Sequence, residues 1–301
     1  MLIESLSEFY FDLNAYEKYL ETWLKGIPSE VGHWRRAMEK NWPDFRDRIS
    51  NERQCNIEQY FDSPETFCID IGSGPLSTCG SKTDKTKLRI IAVDPLAHSY
   101  KILRKKRNIT AGIAPEYCMV ERLTDKFEHN TFDIVHMRNS LDHAFNPIFG
   151  IMQMMAICKK DGKIVLQHTK NEAEEESYHG FHQWNLSVEN GDFIIWRQND
   201  KYNVSKILSE HAEVIIENTS EDRVDIVIIK KSDIGVDICI GGGGVSAVLC
   251  EKLFERLSEY ALVEAYSMKN NVISVINRVP FLGIIGYKIY KKIHKIRKKR
   301  L

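Results

Sequence analysis

The sequence predicts an α/β fold: a mostly parallel sheet whose last strand is antiparallel, with helices added before and after it. Three observations predict it. Phe67-Cys68-Ile69-Asp70-Ile71 is an apolar run broken only by Asp70, and it stops at Gly72-Ser73-Gly74-Pro75-Leu76, as a strand entering a tight loop and a following helix would. Leu88-Arg89-Ile90-Ile91-Ala92-Val93 is a second strand-like run and ends in Asp94, twenty residues after Gly74. From Thr131 to His168, strand-like and helix-like stretches alternate again.

Residues 1–62 precede this core and are rich in aromatics, among them Phe9, Tyr10, Phe11, Trp23, Trp34, Trp42 and Phe45. Phe9, Leu13, Tyr16 and Leu20 recur at helical spacing, and Gly26-Ile27-Pro28-Ser29-Glu30 reads as the end of one helix and the cap of the next. A helical cap packing its aromatic face on the sheet domain follows, with Glu30, His33 and Trp34 as second-rank site candidates. After Asp94 and Pro95-Leu96 comes a basic helix, then a short third strand at Tyr117 to Val120, followed by Glu121. Thr131 to Met137 is the fourth strand, and Arg138-Asn139-Ser140-Leu141-Asp142-His143 the loop after it. Asn146-Pro147 opens a helix as N-cap and first residue, Asp161-Gly162 closes it, and Lys163 to His168 is the fifth strand. Residues 191–197 suggest an inserted strand and Asn203 to Glu210 a helix. His211–Asn218 and Arg223–Lys231 form the closing hairpin.

The loop can take a nucleotide-type ligand, because glycines allow close backbone approach. Ser77 stands where a dinucleotide fingerprint needs its third glycine, so the loop fits NAD poorly. Asp-x-Gly-x-Gly-Pro at 70–75, the acid at 94 and the strand and loop at 131–143 together resemble the class I S-adenosylmethionine (SAM) methyltransferases over about residues 64–231. That resemblance implies a Rossmann-like, seven-stranded sheet, with a cap at 1–62, a cofactor domain at 63–231 and a helical extension at 232–301. It implies SAM as cofactor and S-adenosyl-L-homocysteine as product. Asp70, Gly72, Ser73, Gly74, Pro75, Leu76, Asp94, Pro95, Leu96, Met119, Val120, Glu121, Arg138 and Asn139 would line the cofactor. Asp94 would accept the ribose hydroxyls, whereas Met119 stands where many relatives carry an acid for the adenine amino group.

Chemistry at the acceptor is expected from histidine. A hydroxyl is a poor nucleophile until its proton is leaving, so an O-methyltransferase benefits from a base near neutrality. His143 is the first candidate, Asp142 could orient it, and His182 is the reserve. His168, Glu172, Tyr178, His179, Gln183 and Trp184 form a polar and aromatic cluster after the fifth strand that suits a polyhydroxylated ligand. His179 and His182 could share one helix face, but without a placed third ligand no metal is assigned.

Charge is balanced, with 42 basic and 42 acidic residues, and the Asn/Asp-Pro-Pro-aromatic motif is absent, which argues against nucleic acid. Seven cysteines without Cys-x-x-Cys spacing point to a reducing, cytoplasmic compartment. The 280–301 tail carries an isoleucine stripe and a basic face, which suits an anionic membrane surface and peripheral attachment at its inner side. The favoured function is O-methylation of a sugar hydroxyl on a polysaccharide or lipid-linked glycan. The alternatives are a small lipid or quinone-like acceptor, and a SAM- or glycan-binding module without catalysis.

Overall fold

A computed structural model describes residues 2–5, 13–50, 52, 57–63, 65–80 and 87–234. The Gly241–Gly244 joint, the helix at 245–266 and the basic tail at 280–301, like Phe9, Tyr10 and Phe11, lie outside the described residues.

The chain begins with β1 (Leu2–Ile3) and two helices, α1 (Leu13–Glu39) and α2 (Pro43–Ile49). It then builds β2 (Glu65–Ile71), β3 (Lys87–Asp94), α3 (Ala97–Lys106), β4 (Glu116–Tyr117), β5 (Phe132–Arg138), α4 (Pro147–Ile157) and β6 (Cys158–Thr169). An insertion follows: α5 (Glu172–Glu175), β7 (Asn185–Glu189), β8 (Asp192–Arg197) and β9 (Asp200–Asn203). Next come α6 (Val204–Ile207), β10 (Ala212–Thr219) and β11 (Arg223–Lys230).

Seven of these strands form one sheet in the order β10-β11-β6-β5-β2-β3-β4. The pairs from β4 to β6 are parallel, and β11 runs antiparallel to both β6 and β10. This is the Rossmann-like, mostly parallel sheet expected from the sequence. The chain starts in mid-sheet at β2, goes out through β3 to β4, and returns through β5 on the other side. The carboxyl ends of β2 and β5 therefore flank a topological switch point, the place where open α/β sheets bind ligands. Helix α4 is buried along its whole length, as its uniformly apolar sequence requires, and its residues join those of β2, β5 and β6 in the main core.

Asp70 interrupts the apolar run of β2 for a structural reason. In register it faces His136 of β5, and His136 Nδ1 lies 2.8 Å from Asp70 Oδ1 while His136 Nε2 lies 3.3 Å from Gln167 Oε1 of β6. A buried polar seam thus crosses three central strands.

Six expectations need correction. No helix follows the glycine loop through residue 80; instead Ser77 Oγ, Thr78 N and Thr78 Oγ1 all donate to Asp70 Oδ2, and these side-chain and backbone bonds compete with a helical ladder. Gly26 and Pro28 do not break the first helix. α1 runs through them, with Pro28 inside, and a Cβ on Gly26 would sit 2.5 Å from Phe181 Cδ1. The glycine serves close packing against Phe181, and the helix continues although Pro28 removes one of its backbone hydrogen bonds. The third strand covers only Glu116–Tyr117, and Val120–Asp125 is a 3-10 segment. α4 ends at Ile157, earlier than expected, because Asp161 (φ 62°) and Gly162 form a bulge inside β6, where the register jumps from Phe132↔Cys158 to Ile134↔Lys163. The predicted inserted strand is one of four, since β1-β9-β8-β7 make a second sheet, and the 203–210 helix shortens to α6. Among the described residues, no helix is long and apolar enough to cross a membrane.

Candidate functional site

The cofactor side of the switch point is built from the β2 and β3 loops. Gly72 and Gly74 have φ of 62° and 67°, a region that favours glycine. The space left by their missing side chains is taken by protein. A Cβ on Gly72 would lie 2.3 Å from Ser140 Oγ, and one on Gly74 would lie 3.0 Å from Trp34 Cζ2 and 3.4 Å from Arg48 Nη1. Asp94 reaches across to the turn: its Oδ2 accepts from Gly74 N at 2.9 Å and its Oδ1 from Leu96 N at 2.7 Å. Burial pushes its carboxyl up to about 7, against the lowering effect of those two backbone donors. Asp70 behaves oppositely. Burial alone would raise it, but His136, Ser77 and Thr78 together hold it below the usual carboxylate range.

Helical residues close this side. Arg48 of α2 is half-buried, donates from Nη1 to Ser73 O at 2.9 Å and Leu76 O at 3.1 Å, and stacks 4.8 Å from the Trp34 ring. Glu30 Oε1 accepts from Trp34 Nε1 at 2.7 Å and lies 3.5 Å from the Tyr100 hydroxyl. Glu30 and Trp34, second-rank from sequence, therefore stand directly at the glycine turn. Arg48 carried no signal in the sequence, being one arginine among several on a short helix.

The remaining cofactor candidates divide. Ser73 N donates to Val93 O, which ties the turn to β3. Pro75, Leu76, Pro95 and Leu96 line the same two loops, with both leucines buried. Met119 and Val120 are buried, Val120 packing against Gly150 of α4. Glu121 Oε1 accepts from Phe145 N at 2.7 Å and Asn146 N at 3.1 Å, so it anchors the entry to α4. Arg138 sits half-buried at the end of β5, and Asn139 (φ 45°) accepts from Thr169 N at the rim.

On the other side of the switch point, the loop after β5 and the segment before β7 bring Asp142, His143 and His182 together. His182 Nδ1 lies 2.8 Å from Asp142 Oδ2, and His143 Nε2 lies 3.4 Å from that oxygen and 3.3 Å from His182 Nδ1. The carboxylate thus orients the reserve histidine more closely than the first candidate. Burial would lower His182, but its bond to Asp142 and the charge of Glu172 raise it to about 9. Burial and the Asp142 charge push Glu172 up to about 7. The loops are pinned by Gln183 N donating to Asp142 O and Trp23 Nε1 donating to His143 O, both at 3.1 Å. Trp23 stacks on Phe181 at 4.5 Å, and Phe145 lies 5.3 Å from Trp23, which walls His143 with aromatic surface. One helix serves both sides: Trp23 and Trp34 of α1 are about 16 Å apart along its axis.

The expected sugar-binding cluster is largely structural. Trp184 is in the core, with its indole N–H donating to Ala144 O and Arg197 stacked on its ring. Gln183 Nε2 donates to the carbonyls of Tyr178, Gly180 and His182 and so staples their loop. The Tyr178 hydroxyl accepts from Asn185. His168 is 1% exposed with both ring nitrogens unpartnered, and burial pushes it down to about 3. His179 is exposed beyond the end of α5, so it shares no helix face with His182. Of the cluster only Glu172 and His179 keep polar groups toward the rim.

No protein-family model and no curated protein matches the chain. Among solved structures it is similar to the CurJ carbon methyltransferase, at 15% identity over 58% of this chain and 51% of that one, with a TM-score of 0.42. It is also similar to a SAM-dependent methyltransferase from Aquifex aeolicus (10% identity, 65% and 98% covered, TM-score 0.39). A third is the methyltransferase CalH in complex with SAH (9% identity, 56% and 52% covered, TM-score 0.37). The chain spans about half the length of the CurJ and CalH structures.

Proposed function

We propose that the chain is a SAM-dependent methyltransferase acting on a hydroxyl oxygen. The observation that carries this reading is the meeting of the Gly72–Gly74 turn with Asp94 at the topological switch point, where Asp94 Oδ2 lies 2.9 Å from Gly74 N. A carboxylate has about four lone-pair sites, so Asp94 can hold both backbone donors and still accept ribose hydroxyls. Trp34 and Arg48 cover the turn from α1 and α2.

Methyl transfer is an in-line displacement in which positioning supplies most of the catalysis. The acceptor oxygen bonds to the methyl carbon as the carbon–sulfur bond breaks. The electron pair stays on sulfur as S-adenosyl-L-homocysteine, and the hydroxyl proton passes to a histidine. His182 Nδ1 is engaged by Asp142 Oδ2, with Glu172 nearby, so His143 is the ring assigned to accept it.

A sugar hydroxyl on a polysaccharide or lipid-linked glycan is the acceptor proposed from the sequence, supported by Glu172 and His179 at the rim. A small lipid or quinone-like acceptor is the second reading, favoured by the Trp23–Phe181 stack beside His143. Labelled methyl transfer from SAM to soluble glycan fragments and, in parallel, to hydrophobic phenols separates them. SAH binding with no transfer to either set would leave a binding module without catalysis. The tail at 280–301 is proposed to hold the enzyme at an anionic membrane face, and a tail deletion that leaves membrane partitioning unchanged would remove that idea.

A further inference from the structure

The contacts among Asp142, His143 and His182 are only partly explained by hydrogen bonding. An N–H···O bond has its optimum at about 2.9 Å, which the 2.8 Å contact of His182 Nδ1 with Asp142 Oδ2 satisfies. The other two contacts, 3.3 Å between ring nitrogens and 3.4 Å from His143 Nε2 to the same carboxylate oxygen, are long. One Nδ1 proton cannot bridge all three atoms. A cation can: ligand bonds of about 2.1 Å meeting at about 90° to 109° place neighbouring donors about 3.0 to 3.4 Å apart. Two of the three observed separations fall in that range, and the 2.8 Å contact lies just below it, so the three donors outline one face of such a polyhedron.

A second observation points to a ligand. Asp142 is 1% exposed, yet among the described residues its Oδ1 has no hydrogen-bond partner. A buried carboxylate oxygen left in that state is costly unless a positive group completes it. Glu172 Oε1, 3.9 Å from His182 Nδ1, is near enough to add an oxygen directly or through water. The other convergence of donors, Asp70, Cys79 and His136, differs, because both Asp70 oxygens already accept hydrogen bonds from the chain.

We propose that Asp142, His143 and His182 bind a divalent first-row cation such as zinc, manganese or iron(II) on one face, leaving its remaining positions open to water or acceptor oxygens. Two imidazoles and one carboxylate form the donor set such cations take, and the backbone anchors from Trp23 and Gln183 hold two of the loops that supply it. Binding does not depend on the methyl-transfer reading, but what the cation does there rests on it. Loaded, the cation takes the place of the proton between His182 and Asp142 and occupies His143 Nε2, so the acceptor's proton then leaves to water and the histidine-base route belongs to the cation-free protein.

The full chain, stripped with a chelator and dialysed against zinc or cobalt(II), is expected to retain one cation, with visible d–d bands in the cobalt form. His182→Gln and His143→Gln should each weaken binding by at least the roughly 10–100-fold that even outer-shell changes cost. His211→Gln and Cys79→Ser should leave it intact, and thermal melts of all four variants without metal report folding separately. No retained cation in the wild type, or loss with Cys79→Ser but not with His182→Gln, would overturn the proposal. SAH binding to the stripped protein is measured alongside: SAH bound without cation sinks this inference alone, and cation bound without SAH sinks the cofactor reading alone.

Discussion

The two sides of the switch point handle buried charge in opposite ways. Both oxygens of Asp70 and both of Asp94 accept hydrogen bonds from the chain itself. On the histidine side, among the described residues, Asp142 keeps one oxygen without a donor and His168 keeps two ring nitrogens without partners. The difference separates a scaffold, whose polar groups are satisfied by the chain itself, from the edge proposed to be reactive, where buried polar atoms are left without protein partners among the described residues. α1 couples the two, with Trp34 at the glycine turn and Trp23 at His143.

Breaking the reactive edge should cost turnover and leave binding alone. His143→Gln is expected to lower kcat by about 10²–10⁴-fold, the range for a lost acid–base group, with SAH affinity unchanged. Equal losses in both would make His143 a structural residue. Breaking the scaffold should instead cost stability. Asp70→Ala strands a buried histidine and three donors, so a loss of about 3–5 kcal/mol in denaturant unfolding is expected; a loss under about 1 kcal/mol would show that the seam through β2, β5 and β6 is not a scaffold.

The coupling can be tested at Gly26. An alanine there pushes on Phe181, and overpacking of this kind costs about 1–3 kcal/mol, read as a lowered Tm. An unchanged Tm would mean that α1 rides loosely on the loop. At pH 7 the smallest effect is expected at His168. Its folded pKa is depressed to about 3, below the ordinary histidine value, so the unfolded chain binds the extra proton first. Stability should therefore fall as pH drops below about 6.5, by up to about 1.4 kcal/mol per pH unit. His168→Leu removes that acid-side slope and is neutral or stabilising at pH 7. A slope that survives the substitution would place its origin elsewhere.

The sheet was legible because its signals are local: apolar runs of strand length, a glycine pair, and Asn146-Pro147 as cap and first helical residue, which the structure keeps with Asn146 Oδ1 accepting from Phe149 N. What escaped the sequence depends on distant partners. Gly26-Ile27-Pro28 reads as a break until Phe181 is set against the glycine. The helix expected after Gly74 is lost to Asp70, which draws in Ser77 and Thr78. Trp184 and Gln183 look like ligand-binding residues, but the Trp184 indole finds the carbonyl of Ala144 in a loop the sequence does not bring near, and the Gln183 amide is taken up by carbonyls of its own loop. The convergence of Asp142 and His143 with His182 spans about forty residues and a strand, so no spacing rule reveals it.

The cofactor assignment is tested most directly by calorimetry of S-adenosyl-L-homocysteine binding to the wild type and to Asp94→Ala across pH 6 to 8. Because burial raises the Asp94 carboxyl to about 7, and ribose hydroxyls donate best to the ionised form, affinity should rise with pH through that value and level off above it. The variant should bind at least tenfold more weakly and show no such rise, as expected when a charged acceptor worth about 1.5–3 kcal/mol is removed. Absence of heat with the wild type, or a variant that binds equally well at every pH, would contradict a ligand held between Asp94 and the glycine turn.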